Sequence, residues 1–521
     1  MNPFIALQYT PPDVNFALIL PELFVALVAV AVMLVDAFAR PTQRWLTGGL
    51  SIAGLLAGGI SAIWLWGSWS GPSQAFNGMI VLDGMRLSFT LVFLIVSALT
   101  VLVSIFWVET ERLPAGEFHS LLMFATVGMM LMASGGDLVI IFLGLEILSI
   151  ATYVMAGFRR TDVRANESSL KYFILGSFSS AFLLYGIALI YGGTATTGGL
   201  PGTTNIAEIA TRLNDAQYPP LLFAGAAMML VGFGFKIATA PFHIWTPDVY
   251  EGAPTVVTSF MAAGPKAAGF ASFMRVFLFG FPFIVATAEP AIANQLHTTW
   301  LQVLVILAIL TMTVGNVVAI AQDNVKRLLA YSSIAHAGYA LVGFVAAAAA
   351  TDVDQRNAAI AAVVFYLLTY ALMNMGAFAV VQLIARSGDR RTAVEDFNGI
   401  GFESPVLAFS LALFMLSLLG MPLTAGFIGK ILVFRAALEQ GYYLLVIIGV
   451  LNTAVSAYYY LRLIIVMFFR GRTTAWSPPP IPASIALALV ITVAGVLYLG
   501  IFPGRVINAL QTRSVSSVSM R

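Results

Sequence analysis

The 521 residues contain no cysteine. Disulfides, thiolate-bound zinc, c-type haem and cysteine-held iron–sulfur clusters are therefore excluded from this chain. Charge is scarce as well. Only 10% of residues are charged, against roughly 25% in a soluble protein, and 60% are hydrophobic. That excludes a soluble globular enzyme and a disordered chain. A net charge of +2 with no basic cluster excludes a nucleic-acid surface. No G-x-G-x-x-G follows a strand pattern and no P-loop occurs, so no nucleotide site is visible. Lysine is nearly missing too, with five among 26 basic residues.

Long hydrophobic runs fill the space that charge leaves. A bilayer core of about 30 Å needs about 20 apolar residues in helix. Fourteen stretches meet that need, near 14–39, 45–67, 85–108, 118–134, 137–157, 167–192, 220–240, 254–285, 299–321, 325–349, 357–386, 406–436, 440–469 and 481–503. They are continuous rather than alternating, so helices are expected and not a barrel. The fold class is an all-α polytopic membrane protein with about fourteen spans. The longest connection, 193–219, is rich in Gly, Thr and Pro and reads as coil. The first stretch lacks a basic leader and is too long for a signal peptide.

Basic residues set the orientation. Arg40, Arg44, Arg112, Arg159, Arg160, Arg164, Lys326, Arg327, Arg386, Arg390, Arg391, Arg470 and Arg472 fall in odd-numbered loops. Even-numbered loops hold little beyond Arg86, Arg212, Arg356 and Arg435. Odd loops are therefore expected in the cytoplasm and both termini outside, against the smaller pull of Arg505, Arg513 and Arg521.

The arginines sit mostly in loops, but the lysines do not. Lys236, Lys266 and Lys430 lie inside apolar spans, and Lys171 lies just inside one. Arginine keeps its proton under all working conditions, whereas burial brings lysine within reach of neutrality. Intramembrane ionisable groups point to function by default. Lys326 and Lys171, near span ends, fit snorkelling instead. Glu146 is the matching buried acid, near the centre of the fifth span. His336 lies well inside the tenth span and suits a proton relay as well as simple packing. His243 follows Pro241 just beyond Lys236, while His119 and His297 are expected in loops.

Two lysines sit beside helix breakers, in Gly232-Phe-Gly-Phe-Lys236-Ile-Ala-Thr-Ala-Pro241 and in Gly420-Met-Pro422-Leu-Thr-Ala-Gly426-Phe-Ile-Gly-Lys430. Paired interrupted helices mark a transporter site. Pro241 and Pro422 are 181 residues apart, the length of about five spans. An odd number of spans reverses direction, so two inverted five-helix repeats are expected, each with a broken helix. The division is then 1–117 for helices 1–3, 118–285 for the first repeat, 299–470 for the second, and 471–521 for the last helix and tail. Glu146, Lys236, Lys266, His336 and Lys430 would line up near the midplane as a lateral proton path.

The run Phe142-Leu-Gly-Leu-Glu146-Ile-Leu-Ser-Ile-Ala-Thr-Tyr153, with Arg159-Arg160 and Lys171 downstream, resembles the antiporter-like subunit N family of bacterial NADH:quinone oxidoreductase, respiratory complex I. So do Phe235-Lys236 through Pro241-Phe-His243-Ile-Trp245 to Pro254-Thr255, and Lys326-Arg327-Leu-Leu-Ala-Tyr331-Ser-Ser-Ile-Ala-His336. The resemblance implies a proton-translocating subunit of a translocase complex in the bacterial inner membrane, surrounded by other complex I membrane subunits. It implies that Glu146 and Lys236 form a modulating pair and that Lys266 connects the halves. Lys430 would exchange protons with the outer face or a neighbouring subunit. NAD, FMN, iron–sulfur clusters and quinone would belong to partner subunits, with no cofactor or metal in this chain. The alternative is a subunit of a multisubunit sodium/proton antiporter without redox chemistry.

Overall fold

A computed structural model describes residues 14–38, 45–68, 71–282, 292–472 and 480–513. The chain begins with α1 (Leu20–Phe38) and α2 (Trp45–Ser68). A short antiparallel hairpin follows, β1 (Ser73–Ala75) on β2 (Ile80–Leu82), with Ser73 opposite Leu82. Next come α3 (Gly84–Thr110), α4 (Ala115–Ser134), α5 (Leu138–Ala156), α6 (Val163–Gly193), α7 (Ile206–Arg212), α8 (Pro219–Ile237), α9 (Thr246–Gly252) and α10 (Thr255–Arg275). The remainder is α11 (Ile292–Ile320), α12 (Val325–Ala349), α13 (Val353–Ala385), α14 (Ile400–Glu403), α15 (Pro405–Leu419), α16 (Ala425–Glu439), α17 (Tyr443–Phe469), α18 (Ala483–Ile501) and α19 (Gly504–Arg513).

Twelve of these helices, among the described residues, are long and apolar enough to cross a membrane. The chain is a multi-pass membrane protein. All fourteen expected stretches coincide with helices. Two of them miss the criteria as single apolar helices. The stretch 254–285 is α10, whose 21 residues are all buried. It meets protein on every side, so lipid does not select its composition. The stretch 406–436 is divided into α15 and α16.

Caps and close approaches explain the local structure. Side chains of Asp137, Asp162 and Asn324 accept from the first backbone N–H groups of α5, α6 and α12. Gly128 and Gly144 face each other where α4 meets α5: a Cβ on Gly128 would sit 2.7 Å from the Gly144 carbonyl oxygen. At the α11–α12 contact, a Cβ on Gly338 would sit 2.6 Å from the Met312 backbone nitrogen. The 193–219 connection is not all coil, as its composition predicts. Asn205 caps Ala207 and Glu208, and α7 buries Ile206 and Ile209. Tertiary burial outweighs a Gly- and Thr-rich context there.

The odd-numbered loops meet at one carboxylate. Asp389, after α13, accepts from Arg159 at 2.9 Å, Lys326 at 3.1 Å and the Thr255 backbone N–H at 2.9 Å. Arg159 also grips both oxygens of Glu111, at 2.5 and 2.6 Å. Lys326 donates to the Ala253 carbonyl at 2.6 Å. Lys326 therefore does not snorkel: it is fully buried, because Asp389 offers an ion pair that the interface would otherwise supply as water. Near the starts of α1 and α3 a second set of buried pairs forms. Arg86, inside α3, binds Glu22 at 2.8 Å, and Arg275 holds Asp83 through two bonds of 2.8 and 2.9 Å. Arg40, Arg44 and Arg521 lie outside the described residues.

Burial alone would raise the Asp389 carboxyl, but Lys326 and Arg159 outweigh it and hold it down at about 2. A carboxyl depressed by folding stabilises fully above its ordinary pKa of about 3.9. That contribution is lost as pH falls through about 2. Asp389→Asn leaves two buried cations short of a partner and should cost about 3–5 kcal/mol. Thermal unfolding of the detergent-solubilised protein checks this. The advantage of wild type over the variant should shrink as pH drops from about 4 toward 2.

Candidate functional site

Lys236 sits in the last turn of α8. The helix stops there because Ala238 adopts left-handed backbone angles, with φ of 60°. Pro241 then offers no N–H. The freed groups find partners in protein. Ala240 N–H donates to Thr311 of α11 at 3.0 Å, and the Trp245 indole donates to the Phe235 carbonyl at 3.1 Å. The chain resumes as α9, wedged between α6 and α12. Lys236 is buried and donates to the Ser149 hydroxyl on α5 at 2.9 Å. Glu146 lies on the same helix one turn earlier, half-buried, with Oε1 unbonded. The two make no direct ion pair. A cavity of about 10 Å³, the room of a single water, adjoins Lys236, Ser149, Tyr153 and Ser179.

Lys266 sits on α10 directly after Pro265 and is buried. It donates to the Ser333 carbonyl of α12 at 2.6 Å and to the Ser333 hydroxyl. One turn on, His336 lies between two phenols. Its Nδ1 is 2.7 Å from Tyr366 Oη of α13, and its Nε2 is 3.1 Å from Tyr460 Oη of α17. Tyr460 also meets Ser332 at 2.5 Å. Beyond lies Tyr339, 5.7 Å from the histidine ring centre to centre. Lys430 of α16 stands 4.7 Å above the Tyr339 ring. It donates to the Leu419 carbonyl at 2.9 Å, the last carbonyl before the α15–α16 break. Tyr339 and Tyr459 share Asn316 of α11.

The structure thus brings Lys266, His336 and Lys430 into one polar file, and Lys236 with Glu146 into a second group on α5 and α8. Lys171 stands apart, partly exposed between Glu167 and Asp248 at 2.7 and 2.9 Å. Asp248 in turn binds Arg327 at 2.7 Å, which joins α6 to α12 through α9. Opposing burial, Lys171 and Arg327 hold the Asp248 carboxyl below its usual range. His243 is half-buried in the α8–α9 turn with Nδ1 unbonded. His119 and His297 are not in loops. They sit in α4 and α11, where His119 binds Thr47 and Ser104, each at 3.0 Å, as a packing group. Sequence reasoning passed over Ser149, Ser333, Tyr366 and Tyr460. The available signal was hydroxyl residues inside apolar spans, such as Tyr458-Tyr459-Tyr460 and Ser332-Ser333. No group of three His, Asp or Glu among the described residues is arranged to hold a metal ion.

Interrupted membrane helices beside buried lysines define a class of ion-translocating membrane protein. A family described as "NADH:quinone oxidoreductase/Mrp antiporter, TM" matches residues 135–456. The chain is 46% identical over 498 residues to NADH-quinone oxidoreductase subunit N of Trichlorobacter lovleyi, covering 96% of each. Among solved structures, it resembles a chain of respiratory complex I from Thermus thermophilus with bound aureothin. Identity there is 37%, the TM-score is 0.75, and coverage is 94% of this chain and 99% of that one. It also resembles a chain of the membrane-bound sulfane sulfur reductase, an archaeal respiratory membrane complex, at 26% identity and a TM-score of 0.81, covering 95% and 96%. The chain belongs to the NADH-quinone oxidoreductase subunit N family.

Ser333→Ala removes one of two acceptors from a buried ammonium and should cost about 1–3 kcal/mol. Thermal unfolding of the solubilised protein measures it. Ser333→Thr should restore most of the loss.

Proposed function

We propose that this chain is a proton-translocating membrane subunit of an NADH:quinone oxidoreductase. Protons would move laterally along Glu146, Lys236, Lys266, His336 and Lys430, with His243 a further group at the first break. The observation that carries this reading is the chemistry of the lysines' partners. Lys236, Lys266 and Lys430 are buried and bonded only to hydroxyls or carbonyls. Lys266 and Lys430 can each shed a proton without stranding a buried carboxylate, and Lys236 can do so with only the half-buried Glu146 nearby, to which it is not bonded. Lys326, equally buried, is held by Asp389 and cannot. The sorting separates titrating lysines from a structural one.

The remaining assignments follow from that reading. Glu146 modulates Lys236 across the Ser149 hydroxyl rather than through direct contact. The first repeat spans 118–285 and the second 299–470, in opposite directions. The interrupted helix is fourth in each set of five, and the glycine crossings join the first and second helices of each. Residues 1–117 and 471–521 flank them. The chain sits in the bacterial cytoplasmic membrane with odd loops inside and both termini on the periplasmic side. It neighbours other membrane subunits of complex I, and NAD, FMN, iron–sulfur clusters and quinone reside in partner subunits. Redox chemistry occurs there, and its energy reaches this chain as a change in charge or shape. The reading as an antiporter without redox partners shares the fold, but the high identity runs to subunit N.

Lys236→Ala should cut proton pumping on the order of tenfold in a complex that still assembles. Lys236→Arg should fail likewise, since arginine keeps its proton. NADH-driven acidification of membrane vesicles, beside NADH–quinone electron transfer, reads both. An assembled Lys236→Ala complex with full pumping stoichiometry overturns the proposal. Lys171→Ala should do less, because Lys171 is partly exposed and already paired.

A further inference from the structure

His336 is bonded at both ring nitrogens, and its two partners are unequal. Tyr366 of α13 lies 2.7 Å from Nδ1, and Tyr460 of α17 lies 3.1 Å from Nε2. The Tyr460 hydroxyl has a second partner in Ser332, at 2.5 Å. The Tyr366 hydroxyl has none. Its ring is fully buried, and among the described residues His336 is its sole hydrogen-bond partner. Tyr370 and Tyr339 pack on the imidazole, with ring centres 5.0 and 5.7 Å away. With both nitrogens engaged, the imidazole cannot turn over without breaking both bonds.

A neutral imidazole has one N–H donor and one bare nitrogen acceptor, whereas a phenol donates one proton and can also accept. Two arrangements are open. If Nδ1 carries the proton, it donates to Tyr366, and the phenolic hydrogen of Tyr366 is left with no acceptor in a fully buried site. If Nε2 carries it, Tyr366 donates to Nδ1 and Nε2–H donates to Tyr460. No donor is then stranded at the ring or at Tyr366. Stranded buried donors are costly and rare, so the second arrangement prevails.

We propose that Tyr366 sets the tautomer of His336, keeping the proton on Nε2, and thereby closes the polar file at this histidine. The two nitrogens face different lysines. Nε2 leads through Tyr460 to Ser332, the chain neighbour of Ser333, on which Lys266 rests. Tyr366 lies against Gly429, the residue before Lys430: a Cβ on Gly429 would sit 3.0 Å from the tyrosine ring. A proton coming from the side of Lys266 therefore meets a nitrogen that already carries one. Nε2 becomes an acceptor only in the other tautomer, and that tautomer requires Tyr366 to stop donating to Nδ1. Tyr366 is thus a positioning residue, and rotation of its hydroxyl opens the file. This meaning for proton movement rests on the proposed path, whereas the tautomer rests on the hydrogen bonds alone.

The chain has four histidines, few enough to resolve their ring nitrogens. The test places the full chain, carrying isotopically labelled histidine, in lipid bilayers and reads it by solid-state nitrogen NMR. Protonated and bare imidazole nitrogens give well-separated signals, and those lost in His336→Gln identify this ring. Wild type should favour Nε2–H over Nδ1–H by about tenfold. In Tyr366→Phe, Nδ1 loses its donor, so its signal should move toward that of an unbonded nitrogen and the second tautomer should rise. In Tyr460→Phe, Tyr366 still donates to Nδ1, and the wild-type tautomer should persist. A wild-type ring protonated on Nδ1, on both nitrogens, or equally on either overturns the proposal. So does an unmoved Nδ1 signal in Tyr366→Phe, or a switch to Nδ1–H in Tyr460→Phe. Should Tyr366→Phe fail to fold, the wild-type and Tyr460→Phe spectra give the decision. A wrong tautomer overturns this inference alone, while full pumping by the Lys236→Ala complex overturns the path and leaves the tautomer standing.

Discussion

One buried carboxylate fixes where the central polar file can run. Asp389 receives the first N–H of α10, a lysine at the start of α12 and an arginine from the loop ahead of α6. It follows directly on α13. Three of the five helices that carry the central polar file (α10, α12 and α13, but not α16 or α17) are therefore tied at one end to a single point. Lys266 lies three turns along α10 from Thr255, and Ser333 two turns along α12 from Lys326, at about 5.4 Å per turn. Their meeting is set by two helices measured out from a common origin. A shift of that origin would slide ammonium and hydroxyl past each other. Interactions within such a cluster are far stronger than surface pairs because neither partner is solvated.

The same physics divides the cations into two kinds. Where a buried cation faces a carboxylate, as Arg86, Arg275, Arg159 and Lys326 do, its charge is fixed and its role is to hold helices. Lys236, Lys266 and Lys430 instead donate to hydroxyls or carbonyls. Each of these lysines stands next to something that can rearrange: a helix break for Lys236 and Lys430, a proline for Lys266. The ion pairs cluster toward the helix ends, and the lysines bonded to hydroxyls and carbonyls lie between them.

Much of this was legible in the amino-acid order, because the strongest signals are local. A run of twenty apolar residues announces a span wherever it packs, and a lysine within such a run stands out at once. Partner choice is not local. Nothing around Lys326 reveals that Asp389, 63 residues later, will bury it. Likewise Glu146 is the obvious acid for Lys236, yet the ammonium rests on Ser149, whose hydroxyl looks unremarkable in sequence. The phenols about His336 come from α13 and α17, two helices that only tertiary packing brings together. Hydropathy also misjudged nothing at α10 except its surroundings, since a helix enclosed by protein has no need to please lipid.

The bond from Lys430 to the Leu419 carbonyl ties the position of a side chain to the hydration of a helix break. At membrane depth a carbonyl released from its helix must find a donor. The Lys430 side chain supplies that donor at the gap between α15 and α16. The neutral amine keeps N–H groups and can hold the same carbonyl, so the position of the side chain and not its charge decides the bond. A turn of Lys430 away from the break would therefore leave the Leu419 carbonyl to water.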